Sequence, residues 1–430
     1  MKATLILTLL LFCSANTQAK LIVSLENIDQ LALERNEKAK IAQLQVKEAQ
    51  LSVKSAQSEL FPTIQIQGAL KRSRQAPSLF PLPAGSPPIF NNWSREAVIG
   101  LTQPVFTFGR LTGGIKLAQS SLDLAQNQKD LTDAQIVEAA KTLYFYILFY
   151  KEYIDIAKDS YQNALKNKKA LTGRVSFGRI SQNQNLKMSA DITSREPVVL
   201  EAEKNLQSMK LQLKSFLGLS PNEEISVMGD IHNAPSAIPS HLDLDSLAHI
   251  NLLQNQLEMS KNLESIEKKN YYPTLSFSLS YGRVGYYGEF DENNFLTQDN
   301  VNAGLLLTFD LPTGGKKSFQ QSIAETKRRI TELTLTHGKR DLESQISNLQ
   351  QKYEILLKQI ATNQKAISVA KSSYNVALRA FRSGTVTQTE LNDRELLLTQ
   401  NKINLASNFL ELQLINTQLE ALKAKSTKES

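Results

Sequence analysis

Two kinds of hydrophobic spacing run through the chain. From Thr274 to Tyr281 apolar and hydroxyl residues alternate one for one, Leu275, Phe277, Leu279 and Tyr281 against Thr274, Ser276, Ser278 and Ser280. Successive side chains of a strand point to opposite faces, so this spacing predicts a strand with one oily and one wet side. The segment after Pro62 repeats it, with Ile64, Ile66 and Leu70 opposite Gln65, Gln67 and Lys71. A second alternating stretch follows each: Ala97, Ile99 and Leu101, then Val301, Ala303, Leu305, Leu307 and Phe309. Four amphipathic strands are predicted in all.

The rest of the pattern is helical and unusually long. Ile346, Tyr353, Ile360, Ile367, Tyr374 and Phe381 recur every seventh residue, interleaved with Leu342, Leu349, Leu356, Ala370 and Ala377. That is an a/d seam. Ile115, Leu122, Ile136, Leu143 and Tyr150, with Ala118, Ala125, Ala139, Tyr146 and Tyr153, make the counterpart in the first half. A helix from near Lys316 to Phe381 would be roughly 100 Å long at about 1.5 Å per residue. After Gly384 the pattern changes. Leu391, Leu398, Leu405, Leu412 and Leu419 form one stripe, and Leu396, Ile403 and Leu410 form another about 140° away. A helix with two apolar seams touches two neighbours, as a stave in a cylinder wall does. Ile192, Val199, Leu206 and Leu213, with Ala202, Met209 and Phe216, repeat this in the first half.

The landmarks come in pairs. Gly109 and Gly315 are 206 residues apart, and so are Gly178 and Gly384. Two landmarks on one offset argue for an internal duplication. The expected organisation is a leader over residues 1–19, a first repeat over 20–218, a connector over 219–245 and a second repeat over 246–430. The connector is expected to be irregular because prolines and turn residues crowd it, as they do the loop at 76–90.

Strands of about ten residues with one apolar and one polar face suit a transmembrane β-barrel. Four cannot close one, and open sheet edges are not tolerated in hydrocarbon, so several chains must contribute. A small soluble β-layer capping a coiled coil is the alternative that alternation alone leaves open.

Composition adds the compartment. Lys2, the apolar run Ala3–Phe12 and the small-residue end at Ala19 form the pattern of a cleaved secretory signal. Cys13 is the single cysteine, and bulky Phe12 before it weakens a lipid-anchor reading. The processed chain would hold no cysteine, with 48 basic against 42 acidic residues and no basic run that would suggest nucleic acid. Enzymatic chemistry finds no foothold. GRLTGGIK at Gly109–Lys116 and GGKKS at Gly314–Ser318 both fail the phosphate-loop pattern and read as strand-to-helix turns. The four histidines never fall at metal-ligand spacing, so no metal and no cofactor are expected.

The duplicated order of helix, FPT or YPT, strand pair, glycine turn, long helix and Gly-x-x-Ser/Thr turn resembles the TolC family of outer-membrane efflux and secretion ducts, over roughly Leu25–Leu422. The resemblance implies a mainly α fold with a membrane β-barrel: a homotrimer with a twelve-stranded barrel in the outer membrane and a long antiparallel α-helical barrel in the periplasm. It also implies a periplasmic adaptor and an inner-membrane pump as partners. The family's adaptor-docking tips match SFGRIS, with Gly178 and Ser181, and RSGTVT, with Gly384 and Thr387. Helix capping alone would explain the same residues. Glu390 and Asp393, six and nine after the tip glycine, match positions that ring the family's periplasmic aperture, although an acidic helix start would look the same. The family's charged latch positions hold Val386, Phe381 and Gln184 here, so its gating does not carry over. The expectation is therefore a passive outer-membrane exit duct for a tripartite efflux pump or a type I secretion system. The rival is a soluble periplasmic coiled-coil adaptor or scaffold.

Overall fold

The computed structural model describes residues 21–72, 93–175, 182–233, 243–285, 298–311 and 314–423. The leader with Cys13, the proline-rich stretch and the Gly178–Ser181 turn lie outside the described residues. In chain order the elements are β1 (Leu21–Val23), α1 (Ile28–Arg35), α2 (Glu37–Ser58), β2 (Thr63–Arg72), β3 (Trp93–Phe106), α3 (Arg110–Val175) and α4 (Gln182–Phe216). Then follow β4 (Ile225–Val227), α5 (Ala248–Lys269), β5 (Thr274–Gly285), β6 (Gln298–Thr308), α6 (Lys316–Ser383) and α7 (Gln388–Leu422). The helices expected to be long are α3 and α6, with 66 and 68 residues.

Both long helices start at left-handed backbone. Phe108 (φ 51°) precedes Gly109 (φ 80°), and Gly314 (φ 65°) precedes Gly315 (φ 72°). Such a pair turns the chain sharply from strand into helix, and only glycine adopts it without steric cost. Phe108 is held there by its ring, stacked on Tyr272 at 5.0 Å and edge-on to Phe106 at 4.6 Å.

The chain packs as two compact units, residues 1–41, 130–243 and 342–425 in one and 42–129, 244–341 and 426–430 in the other. Each draws on both sequence repeats. In the first unit α6 buries Leu342, Ile346, Tyr353, Leu356, Ile360, Ala370, Tyr374, Ala377 and Phe381, the expected seam. Leu391, Leu412 and Leu419 of α7 are fully buried, whereas Leu396 of its second stripe is half exposed.

The seam of α3 differs from expectation. Ile136, Ala140, Tyr144, Phe145, Ile147 and Leu148 are among its buried positions, and Leu143, Tyr146, Tyr150 and Tyr153 are half-buried. The connector accounts for the rotation. It includes β4, which pairs in parallel with β1, and it lies against α3. The Tyr144 hydroxyl donates to the Met228 carbonyl at 2.8 Å, Lys151 donates to the Val227 carbonyl, and Gln413 of α7 donates to the carbonyls of Ile231 and Asn233. Backbone groups of a short segment over a helix need such donors or water. Gly229 (φ 150°) sits so close that a Cβ there would lie 2.0 Å from the Tyr144 hydroxyl.

The second unit carries one antiparallel sheet in the order β2-β3-β5-β6. The four expected strands are thus all present and share one sheet.

Candidate functional site

Residues directly opposite one another in an antiparallel sheet share a face. The register therefore lines up Ile64–Leu101–Leu279–Ala303 in one row and Ile66–Ile99–Tyr281–Val301 in the next on the oily face. Among the described residues nothing covers them: Ile66 is 82% exposed and Leu305 68%. Gln103 intrudes on this face, but its amide donates to the carbonyls of Leu60 and Pro104 at 2.8 and 2.9 Å. The band is bounded at both ends. Phe106, Phe108, Tyr272 and Phe309 are exposed at the helix-proximal end, where Lys317 lies 5.9 and 6.0 Å from the Tyr271 and Phe309 ring centres. The Arg283–Asp299 ion pair, 2.5 Å, closes the far end. An exposed apolar band flanked by aromatics and then charge has the pattern of a surface that faces lipid. Among the described residues β2 and β6 are open edges of the sheet. No described helix is long and apolar enough to cross a membrane.

The other predicted residues lie in the first unit. Gly384 (φ 85°) ends α6 in a Schellman turn: its N–H reaches the Phe381 carbonyl at 3.1 Å, and the Thr385 N–H reaches that of Ala380 at 3.0 Å. Thr387 caps α7, its hydroxyl accepting from the Glu390 N–H at 3.3 Å. Glu390 and Asp393 are exposed, within two turns of that start. Phe381 is buried with Met188, Tyr374, Ala377 and Leu391, Val386 is half-buried, and Gln184 falls in the first turn of α4. Gly178 and Ser181 cannot be placed beside them, being outside the described residues.

Sequence reasoning missed a buried charge network behind the Gly384 turn. Arg195 of α4 donates through Nη1 to Glu395 Oε2 of α7 at 2.7 Å and to the Ser160 carbonyl and hydroxyl of α3 at 3.1 and 2.8 Å. Its Nη2 pairs with Asp191 at 3.1 Å. Glu395 is only 2% exposed, and its Oε1 has no partner. Burial pushes its carboxyl above the usual carboxylate range, with Arg195 pulling the other way. Tyr374 beside it is raised by the same loss of water. The signal was available: Glu395 falls four after Leu391 and three before Leu398, and Arg195 falls three after Ile192 and four before Val199. Both charges interrupt apolar stripes.

Residues 29–219 match the family model described as outer membrane efflux protein. The match runs from α1 to the end of α4 and a little beyond. The cobalt-zinc-cadmium resistance protein CzcC of Cupriavidus metallidurans is 22% identical over 319 residues, covering 72% of each chain. The outer membrane protein VceC of Vibrio cholerae superposes with a TM-score of 0.77 at 18% identity, over 93% of this chain and 96% of its own. The CmeC outer membrane channel of Campylobacter jejuni gives 0.80 at 14% identity, over 94% and 86%. Over nearly the whole chain the fold is the one seen in these outer-membrane proteins, two-faced sheet and long helices included.

Proposed function

We propose that this protein is an outer-membrane efflux channel that works as a homotrimer, a passive exit duct that receives cargo from an inner-membrane pump through a periplasmic adaptor. The observation that supports this most is the sheet: four strands, an exposed apolar face and an open strand at each edge. Backbone groups unpaired in hydrocarbon cost several kcal/mol each, so the edges need partners. Three copies joined β6 to β2 would close twelve strands, with lipid of the outer membrane against the oily rows. The long helices would then line the periplasmic part of the conduit. Energy comes from the pump, so the chain needs no catalytic residue of its own. Fractionation of cells, detergent extraction and a mass measurement test this. A trimer in the outer-membrane fraction is expected, and a monodisperse monomer in the soluble periplasm refutes it.

In the same reading the Gly384 turn, capped by Thr387, and its duplicate at Gly178 and Ser181 are the tips that dock the adaptor. Cysteine at the exposed Thr389 is expected to crosslink to a periplasmic adaptor; labelling of that cysteine by membrane-impermeant reagents on intact cells reverses the orientation. Glu390 and Asp393 from three chains would set six carboxylates around one aperture, and such rings favour cations. Glu390→Ala with Asp393→Ala is expected to weaken block by multivalent cations in planar bilayers while leaving the trimer intact. Unchanged block makes these residues a solvated helix start.

A further inference from the structure

The wet face of the sheet has a composition that the duct role does not require. Its rows read Pro104–Ser276–Leu306, then Thr63–Thr102–Ser278–Gly304, Gln65–Gly100–Ser280–Asn302 and Gln67–Val98–Gly282–Asn300. Four consecutive rows contain amides, hydroxyls, glycines and a few apolar groups, and no ionisable side chain. Charge returns only at the helix-distal end, with Glu96 and Lys71. Oppositely, the oily face does carry an ion pair, Arg283 with Asp299, so charge is not excluded from these strands as such.

We infer that the wall of the membrane passage is electrostatically neutral and does not discriminate cargo by charge, so that anions, cations and zwitterions cross this segment alike and any selection occurs before it. This rests on the reading of the wet face as the lining of a water-filled barrel. Charged rings act as ion filters because their potentials of several kT concentrate one sign of ion; amides and hydroxyls solvate both signs. Glycine adds width without polarity. A Cβ built at Gly100 or Gly304 meets nothing within 4 Å, so neither is needed for close packing, and each leaves the passage open at its row. Four rows two residues apart on strands rising about 3.3 Å per residue cover about 20 Å of strand, or about half of a hydrocarbon core once strands tilt by about 40°, so a solute meets no fixed charge from these strands along that depth.

The open space at Gly304 also makes it a clean probe. Gly304→Cys in the full-length trimer, whose processed chain is expected to have no other cysteine, is modified with a cationic and an anionic methanethiosulfonate reagent of similar size. The ratio of the two rates, normalised to a free thiol in solution, reports the local potential. It is expected within about twofold of unity, because a wall at several kT would skew it by far more than tenfold. Asn302→Cys is expected to give the same ratio, and Leu305→Cys, on the oily face, to react with neither reagent. A normalised ratio beyond about tenfold in either direction at Gly304 overturns the neutral wall while leaving the duct intact. An unreactive Gly304→Cys beside a reactive Leu305→Cys overturns the inference together with the barrel reading beneath it.

Discussion

The Arg195–Glu395 pair can be taken apart in steps. Glu395 is buried, one oxygen bonded to Arg195 at 2.7 Å and the other without a partner. Breaking a buried pair by removing one member costs about 3–5 kcal/mol, because the other charge stays behind in a dry site. Arg195 would keep Asp191 at 3.1 Å and Ser160 at 2.8 Å, which places Glu395→Leu near the lower end of that range, about 3 kcal/mol. That is a change of about a hundredfold in the folding equilibrium. Arg195→Met leaves Glu395 facing Asp191 with no guanidinium between them and is expected to cost as much or more. The double variant Arg195→Met with Glu395→Leu removes both charges and fills the site with apolar volume, so it is expected to return to within about 1 kcal/mol of the parent. Urea unfolding in detergent, followed by helical circular dichroism at fixed protein concentration, reads all three. Single variants within error of the parent, or a double variant equal to the sum of the singles, refute the reasoning.

The same pair predicts a pH dependence. Glu395 binds its proton more tightly in the folded chain than in the unfolded one, since burial raises it. Between the unfolded and folded values the native state holds more protons, so stability falls as pH rises through that window. Its favourable contribution is complete below the unfolded carboxylate value and lost above the folded one. Glu395→Gln cannot titrate, and the difference curve between parent and variant should carry that slope. A flat difference between pH 4 and 8 would mean that Arg195 holds the carboxylate ionised throughout.

Three further outcomes follow from local geometry. Gly384→Ala and Gly229→Ala both place a side chain at positive φ, but only the second drives a Cβ into the Tyr144 hydroxyl; the first is expected to cost about 1 kcal/mol, and the second to release the connector from α3, read as loss of hydrogen-exchange protection at residues 227–233. Thr387→Ala removes the cap of α7 and is expected to cost about 1 kcal/mol in the same urea assay, whereas Thr387→Ser should cost almost nothing. Leu305→Arg puts a charge on the oily face at about 2–4 kcal/mol and is expected to lower the yield of membrane-inserted trimer, while Asn302→Arg on the wet face should insert normally.

What was legible in the sequence follows from how local each signal is. Strand alternation has a period of two, so Leu275 to Tyr281 declares its faces without any partner, and the register confirms them residue by residue. The glycine turns were only partly so: Gly314–Gly315 is the left-handed pair before α6, whereas before α3 the pair is Phe108–Gly109 and Gly113–Gly114 lies inside the helix. The seam of α6 was read correctly because seven-residue spacing runs from Leu342 to Phe381, interrupted only at Asn363. That of α3 was turned by one position because what covers it is a connector far along the chain, bonded to Tyr144 and Lys151, and no periodicity within α3 reports that. The β1–β4 pairing was hidden for the same reason: three residues at Leu21 meet three at Ile225. Arg195 and Glu395 stood at the boundary between these cases. Each was visible as a charge inside an apolar stripe, but which partner answers which is a fact of the fold alone.

The remaining exposed apolar surface separates into two kinds by spacing, and the spacing names the solvent each requires. On the sheet the exposed residues alternate by two and lie between aromatic and charged margins, which suits lipid. On α6 in the second unit Phe319, Ile323, Ile330 and Leu333 are all more than half exposed and recur at helical intervals. Lys316, Lys317, Lys327, Arg328 and Arg329 fall among and beside them. A stripe so closely bordered by charge belongs in water, where about 25 cal/mol per Å² of apolar surface favours covering it. With no disulfide to staple the chain, that stripe is where the proposed trimer would gain stability outside the membrane. Sheet closure and helix burial would then be two consequences of one assembly step: a variant such as Leu333→Glu, remote in sequence from every strand, is expected to shift the protein toward monomer and, with it, to deprive the sheet edges of the partners that let them enter the membrane.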